Sequence, residues 1–279
     1  MAGATRCQWE FILLMTPPVC SNPGCYAQRL CDCRGPVNRE HYVSQTLLKD
    51  IWQDSPGGST YGLTFIRATP NNPAQLGIKN LTAKILCEMH NRALSPFDTE
   101  MAKLFWAMER VVIDEIQGDP VAVNSYVLGD RIERWMYKTL CGGVFSGNFP
   151  VPFEHSFEGQ LPSDEALQII FRNSPFPDGE GIYLSHEHSR VDHHVFRLAV
   201  VGDPTGIVGL RMWVFGSLFT LVLTGDHTPF PELKTATYRP PMIIAANTRN
   251  AIRMSWEGDH SETALQLTFS DNPPAESSE

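Results

Sequence analysis

Three things are scarce in this 279-residue sequence: long hydrophobic runs, basic charge and low-complexity tracts. The most apolar stretch, Ile207–Leu223, is broken by Arg211. Its uncharged part, Met212–Leu223, is 12 residues, too short to cross a bilayer as a helix. Near the start, Phe11–Met15 is too brief for the apolar region of a secretory signal, and no small-residue cleavage site follows it. The expectation is a soluble, cytoplasmic chain with no membrane partner. Lys and Arg number 22 against 31 Asp and Glu, a net charge of −9, which argues against a protein that coats nucleic acid non-specifically. No internal repeat or low-complexity tract is visible, and 42% hydrophobic residues exclude a largely disordered chain.

The shortage of positive charge is uneven. Residues 1–100 hold 9 Lys and Arg against 8 Asp and Glu, whereas residues 101–279 hold 13 against 23. Only the N-terminal part has electrostatics that do not oppose a polyanion. The acidic remainder is expected to avoid nucleic acid and to recognise a protein or small-ligand partner.

What the sequence does have is seven cysteines, four of them between Cys20 and Cys33. Clustered cysteines in a cytoplasmic chain read as metal ligands before disulfides. Cys20 and Cys25 form a C-x4-C turn in which Pro23 and Gly24 favour a tight knuckle. Cys87 and His90 form a C-x2-H pair. Two such pairs can close a tetrahedral, structural zinc site of Cys3His type. Cys31 and Cys33 are the alternative to Cys20 and Cys25, disfavoured because a one-residue spacer strains tetrahedral binding.

Residues 95–143 read as helical. Ser95 suits an N-cap, Pro96 the first helical position, and Met101, Leu104, Phe105, Met108, Val111, Val112 and Ile116 recur at helical spacing. A second helix is expected over 130–140, stopping at Gly142 and Gly143. Its buried stripe would be Ile132, Trp135, Met136 and Leu140. Its polar side, with Arg131, Glu133, Arg134 and Lys138, would face solvent or, less favoured, nucleic acid. Beyond residue 150 short apolar runs alternate with turns: Gly181–Leu184, Val195–Val201, Ile207–Phe215, Leu218–Leu223, Met242–Ala245 and Ala264–Phe269. A hairpin turning near Gly216 is expected.

Between these signals lies Asn38-Arg39-Glu40-His41-Tyr42, followed by Asn80-Leu81 and Leu86-Cys87-Glu88-Met89-His90-Asn91. The order of cysteine pair, acidic-His, Asn-Leu and Cys-x-x-His resembles the HNH nuclease superfamily with its ββα-metal core. With Ala93-Leu94-Ser95 included, it looks like an uncharacterised bacterial HNH-like family whose members also carry a β-rich C-terminal region. The resemblance, which covers about 75 residues, implies a zinc-bearing ββα-metal domain (20–94). With the residue patterns on either side, the expectation is an α+β protein: an extension (1–19), that domain, a short helical segment (95–149), a mostly antiparallel β-rich domain (150–270) and a disordered tail (271–279). It further implies hydrolysis of phosphodiester bonds. His41 would be the general base, Glu40 and Asn91 the ligands of a catalytic Mg or Mn, Asn80 an orienting residue and Arg39 a phosphate holder. The partner would be nucleic acid, DNA rather than RNA. The alternative is a zinc-bearing interaction module of the same fold that does not cleave.

One other cluster competes. His186-Glu187-His188, with Asp192, His193 and His194 beyond, loosely resembles the metal motif of metallo-β-lactamase-type hydrolases, but three residues separate His188 from Asp192 where that motif has one. A solvated loop between strands is the favoured reading there. Tyr238-Arg239-Pro240-Pro241-Met242 reads as a turn entering a strand.

Overall fold

The structure is a computed structural model that describes residues 22–53, 63–65, 81–117, 124–149, 162–186, 196–204, 206–245 and 250–267. It is a mixed α+β fold built on three sheets. The smallest pairs β1 (Val37–His41) antiparallel with β3 (Thr82–Cys87). The helix α2 (Glu88–Gln117) begins at the residue after β3. Two strands and the helix that follows therefore form a β-β-α unit. Helix α1 (Gln45–Gln53) and the short β2 (Leu63–Phe65) are inserted between its strands.

α2 starts seven residues before the expected N-cap. Pro96 lies inside it, not at its first position. Proline removes one i→i−4 bond and crowds the carbonyl of Arg92. Arg92, Ser95 and Pro96 are all exposed, so water can take that carbonyl. The start at Glu88 is fixed instead by the loop before β1: Glu88 N–H donates to Pro36 O and Met89 N–H to Arg34 O. Met101, Leu104, Phe105, Met108, Val111 and Val112 are buried, as their spacing requires.

Beyond the short strand β4 (Asn124–Leu128), the second helix, α3 (Gly129–Phe145), runs through Gly142 and Gly143 rather than stopping there. A Cβ at Gly142 would lie 2.7 Å from Tyr42 Cβ, and one at Gly143 within 2.4 Å of the Phe149 ring. These glycines serve close packing, not termination. The expected stripe of Ile132, Trp135, Met136 and Leu140 is buried. Most of the polar side is not solvated, however: Glu133, Arg134 and Lys138 are buried too, and only Arg131 of the four is exposed, which corrects the reading of that side as a solvent face.

The C-terminal half holds the expected strands. A six-stranded sheet runs β2-β6-β7-β8-β5-β9, with β5 at Gly181–His186, β6 at Phe196–Asp203, β7 at Gly206–Val214, β8 at Ser217–Val222 and β9 at Thr237–Tyr238. All its pairings are antiparallel except β2 with β6. β7 and β8 form the expected hairpin. Val214 pairs with Ser217 across Phe215 and Gly216, which hold φ of 48° and 82°, the left-handed pair a two-residue turn needs. The remaining sheet orders β12 (Leu265–Leu267), β10 (Met242–Ala245), β11 (Ala251–Ser255) and β4.

These elements share one core that includes Tyr26, Leu86, Met101, Trp135, Phe196, Phe219 and Ile252. α2 crosses the expected 94/95 boundary unbroken, and β2 and β4 pair with strands from beyond residue 195. A further helix, α4 (Asp164–Arg172), interrupts the stretch expected to be β-rich. Ser163 Oγ accepts from Ala166 N–H at its start, and Asn173 closes it in the left-handed conformation. Residues 1–19 and 271–279 lie outside the described residues. No described helix is long and apolar enough to cross a membrane.

Candidate metal centre and adjoining cavity

Two features adjoin the β-β-α unit. At the end of β1 that carries Val37, Cys25, Cys33, Cys87 and His90 bring one ligand atom each to within 4.8 Å of one another. Each is positioned by a local rule. Cys25 sits in a turn closed by its own N–H to Asn22 O. The chain then makes one 3₁₀ turn, Gln28–Leu30, and doubles back through a left-handed Cys31 to reach Cys33. Cys87 ends β3, and His90 lies three residues on, one turn into α2.

His90 presents Nδ1 to the thiols. Nδ1 lies 3.5 Å from Cys25 Sγ, 3.7 Å from Cys33 Sγ and 3.2 Å from Cys87 Sγ. Tetrahedral zinc with ordinary Zn–S and Zn–N bonds has S···N edges of about 3.6 Å. The other ring nitrogen, Nε2, faces Asp32 Oδ1 at 2.9 Å, and neither atom has another partner among the described residues. A carboxylate behind the imidazole fixes the tautomer that leaves Nδ1 free to ligate. Asp32 is held in turn by Arg172 of α4, while Phe171 packs edge-on to the His90 ring at 4.9 Å. Burial pushes the Cys25 and Cys33 thiols up from their usual range. A cation that stabilises thiolate is what such a site calls for. The donor set fits a metal such as zinc.

Three of the four expected ligands are thus together. Cys20 lies outside the described residues, and Cys33 completes the set. Cys31 is not among the four. The site takes one cysteine from each of the two pairs weighed in the sequence, because the turn after Cys25 returns the chain only at residue 33.

The second feature is a polar cavity of about 700 Å³ that runs along β1 and the flank of α2. Asn38, Arg39, Glu40, His41, Asn91, Asp98 and Trp106 are among its lining residues. The structure therefore brings Arg39, Glu40, His41 and Asn91 to one cavity. α2 carries Asn91 in its first turns, as its start at Glu88 allows. Asn80 lies outside the described residues. Asn91 Nδ2 donates to Asn38 Oδ1 at 2.7 Å and to Arg39 O at 3.2 Å, so it ties α2 to β1.

Glu40 is barely exposed, and its Oε1 accepts from Lys138 Nζ at 3.0 Å. The same ammonium lies 2.9 Å from Asp98 Oδ1 and donates to His41 O at 3.1 Å. Asp98 also accepts from Ser44 Oγ and Trp135 Nε1. Burial lifts the Glu40 carboxyl above its usual range against the pull of Lys138. Lys138 itself, though burial draws it down, is carried above its usual value by Glu40 and Asp98. His41 is held below its usual value, first by burial and then by Lys138, so its imidazole is neutral at pH 7.

Sequence reasoning missed the roles of Asp98 and of Lys138, the latter placed on a helical surface.

The remaining candidates play other parts. His186 ends β5 with Nδ1 3.4 Å from Ser217 Oγ, and residues 187–195 lie outside the described residues. Arg239 makes a two-point ion pair with buried Glu133, at 2.7 and 2.9 Å, so the Tyr238–Met242 turn pins the C-terminal sheets to α3.

No protein-family model, curated protein or solved structure matches this chain.

Proposed function

We propose that the chain is a zinc-stabilised nuclease of the HNH type that hydrolyses phosphodiester bonds in nucleic acid, DNA rather than RNA. The observation that carries this reading is the convergence of Arg39, Glu40, His41 and Asn91 on one cavity beside a β-β-α unit that also bears a Cys3His cluster. Zinc at Cys25, Cys33, Cys87 and His90 is structural, because all four positions are taken by protein. It clamps the start of α2 to the loop before β1 and so fixes the walls of the cavity.

In the cavity, His41 is half-buried and neutral, ready to accept a proton from water. Lys138, bonded to the His41 carbonyl, holds the strand end in place. Arg39, exposed on β1, suits a phosphate oxygen. Glu40 and Asn91 would hold a divalent Mg or Mn, which would polarise the phosphate and offset its charge. A carboxylate has about four lone-pair sites, so the Lys138 contact at Oε1 does not exhaust Glu40. The acidic C-terminal part is assigned a protein or small-ligand partner on its charge alone.

A second reading rests on the same ion pair. Lys138 already supplies Glu40 with a cation, and a site satisfied in this way has less need of a metal. On that reading the protein is a zinc-bearing interaction module that binds nucleic acid without cutting it. Incubating the protein with supercoiled plasmid, single-stranded DNA and RNA in Mg or Mn separates the two. Nicking that His41→Ala abolishes supports the nuclease; binding without nicking supports the module.

A further inference from the structure

The exposed side of α2 carries a pattern that the cleavage chemistry does not use. Arg92, Ser95, Thr99, Lys103, Trp106, Arg110 and Ile113 recur every three or four residues, and all are exposed. Past Glu88, every exposed charged residue of α2 up to Asp114 is basic, in a chain of net charge −9. The acids of the same stretch are turned elsewhere. Glu100 and Asp114 are buried, Asp98 engages Lys138, and Glu109 is only partly exposed. Lys103 Nζ lies 3.1 Å from Glu100 and Arg110 Nε 2.8 Å from Asp114, so buried carboxylates anchor both cations while about half of each basic side chain stays in solvent. Between them stands Trp106, 45% exposed and lining the same cavity as His41 and Asn91.

We infer that this face is a subsite for single-stranded nucleic acid, with an unpaired base stacked on Trp106 and flanking phosphates met by Lys103 and Arg110. The inference rests on the reading of the cavity as a nucleic-acid site and deepens it by naming the strand state of the substrate. An indole flanked by cations at one-turn intervals is the arrangement that takes a base and its neighbouring phosphates, and such stacking tolerates any base. A paired base keeps its faces inside the duplex and cannot use the indole. Asp98, which shares Lys138 with the His41 carbonyl, is about 12 Å along the helix from Trp106, a span that a few nucleotides of one strand can follow from the stacking position to His41. Anchoring by buried acids lowers the rotamer freedom that Lys103 and Arg110 would lose on binding.

The test is fluorescence anisotropy on the full chain with labelled DNA of about 16 nucleotides, single-stranded and as duplex, and with RNA of the same length. Single strands should bind more tightly than duplex. Trp106→Ala should weaken single-strand binding about 5- to 100-fold, and Trp106→Phe, which keeps an aromatic face, much less. Lys103→Gln with Arg110→Gln should reduce the slope of log affinity against log salt by about 1.4, that of two phosphates on a single strand. All are surface positions, and thermal melting confirms that each variant is folded. Preference for duplex, or Trp106→Ala binding as wild type does, overturns this inference and leaves the nucleic-acid reading standing. Failure of the wild type to bind any of the three overturns both.

Discussion

Lys138 Nζ lies 3.0 Å from Glu40 Oε1, joining the middle of α3 to the penultimate residue of β1, with both side chains out of solvent. The pair closes a contact across 98 residues of sequence. It sets the electrostatics of the cavity, because the ammonium also faces Asp98 and the His41 carbonyl.

Lys138→Met should therefore be costly. Removing one partner leaves Glu40 buried and uncompensated, a loss of about 3–5 kcal/mol in chemical denaturation. Lys138→Met with Glu40→Gln should recover part of it. The pH dependence has a definite sign. Glu40 and Asp98 carry Lys138 above its usual 10.5, so its contribution is complete below that pH and is lost as pH rises through the folded value. Lys138→Met should flatten that alkaline limb.

His41 gives a second pH signature. Burial and the cations Lys138 and Lys49 hold it below 6.5, against the opposing effect of Asp98. The neutral, base-competent form therefore persists below pH 6.5, and the acid limb of cleavage should lie there too. Lys138→Met should move that limb upward, toward the ordinary histidine value. A limb unmoved in a folded variant would show that His41 is not the titrating base.

Zinc content separates the ligands. The purified protein should hold about one zinc per chain. Cys33→Ser and Cys87→Ser should lose it along with the cooperative unfolding transition, since metal binding in such sites is folding free energy. Cys20→Ser should keep it. Loss of zinc on Cys20→Ser with retention on Cys33→Ser would restore the C-x4-C pairing expected from sequence.

Asp32→Asn should keep the four ligands but weaken zinc affinity by about 10- to 100-fold, the usual effect of losing a carboxylate behind a ligating histidine. Chelator competition measures it. An unchanged affinity would mean that Asp32 serves only to dock Arg172 of α4.

Spacing was a sound guide where chemistry is local. The C-x2-H pair, the hairpin at Gly216 and the apolar stripe of α2 could all be read residue by residue. Local rules misled where tertiary contacts overrode them. Ser95-Pro96 has every mark of a helix start, yet the bonds from Glu88 and Met89 to Pro36 and Arg34 begin α2 about two turns earlier. Gly142 and Gly143 look like a stop and are instead points of close approach. Lys138, Glu133 and Arg134 read as solvated because their partners, Glu40, Arg239 and the Ile169 carbonyl, lie between 35 and 106 residues away. Choosing Cys33 over its neighbours depended on a turn whose return point no spacing rule specifies.

The most direct measurement is cleavage itself. Wild type and His41→Ala, each with its zinc content verified, are incubated with single-stranded and supercoiled DNA in Mg or Mn. The wild type should cut, and His41→Ala should lose about 10²- to 10⁴-fold in rate at unchanged zinc content. A wild type that binds these substrates without cutting, or a His41→Ala protein that cuts equally well, would contradict the nuclease assignment.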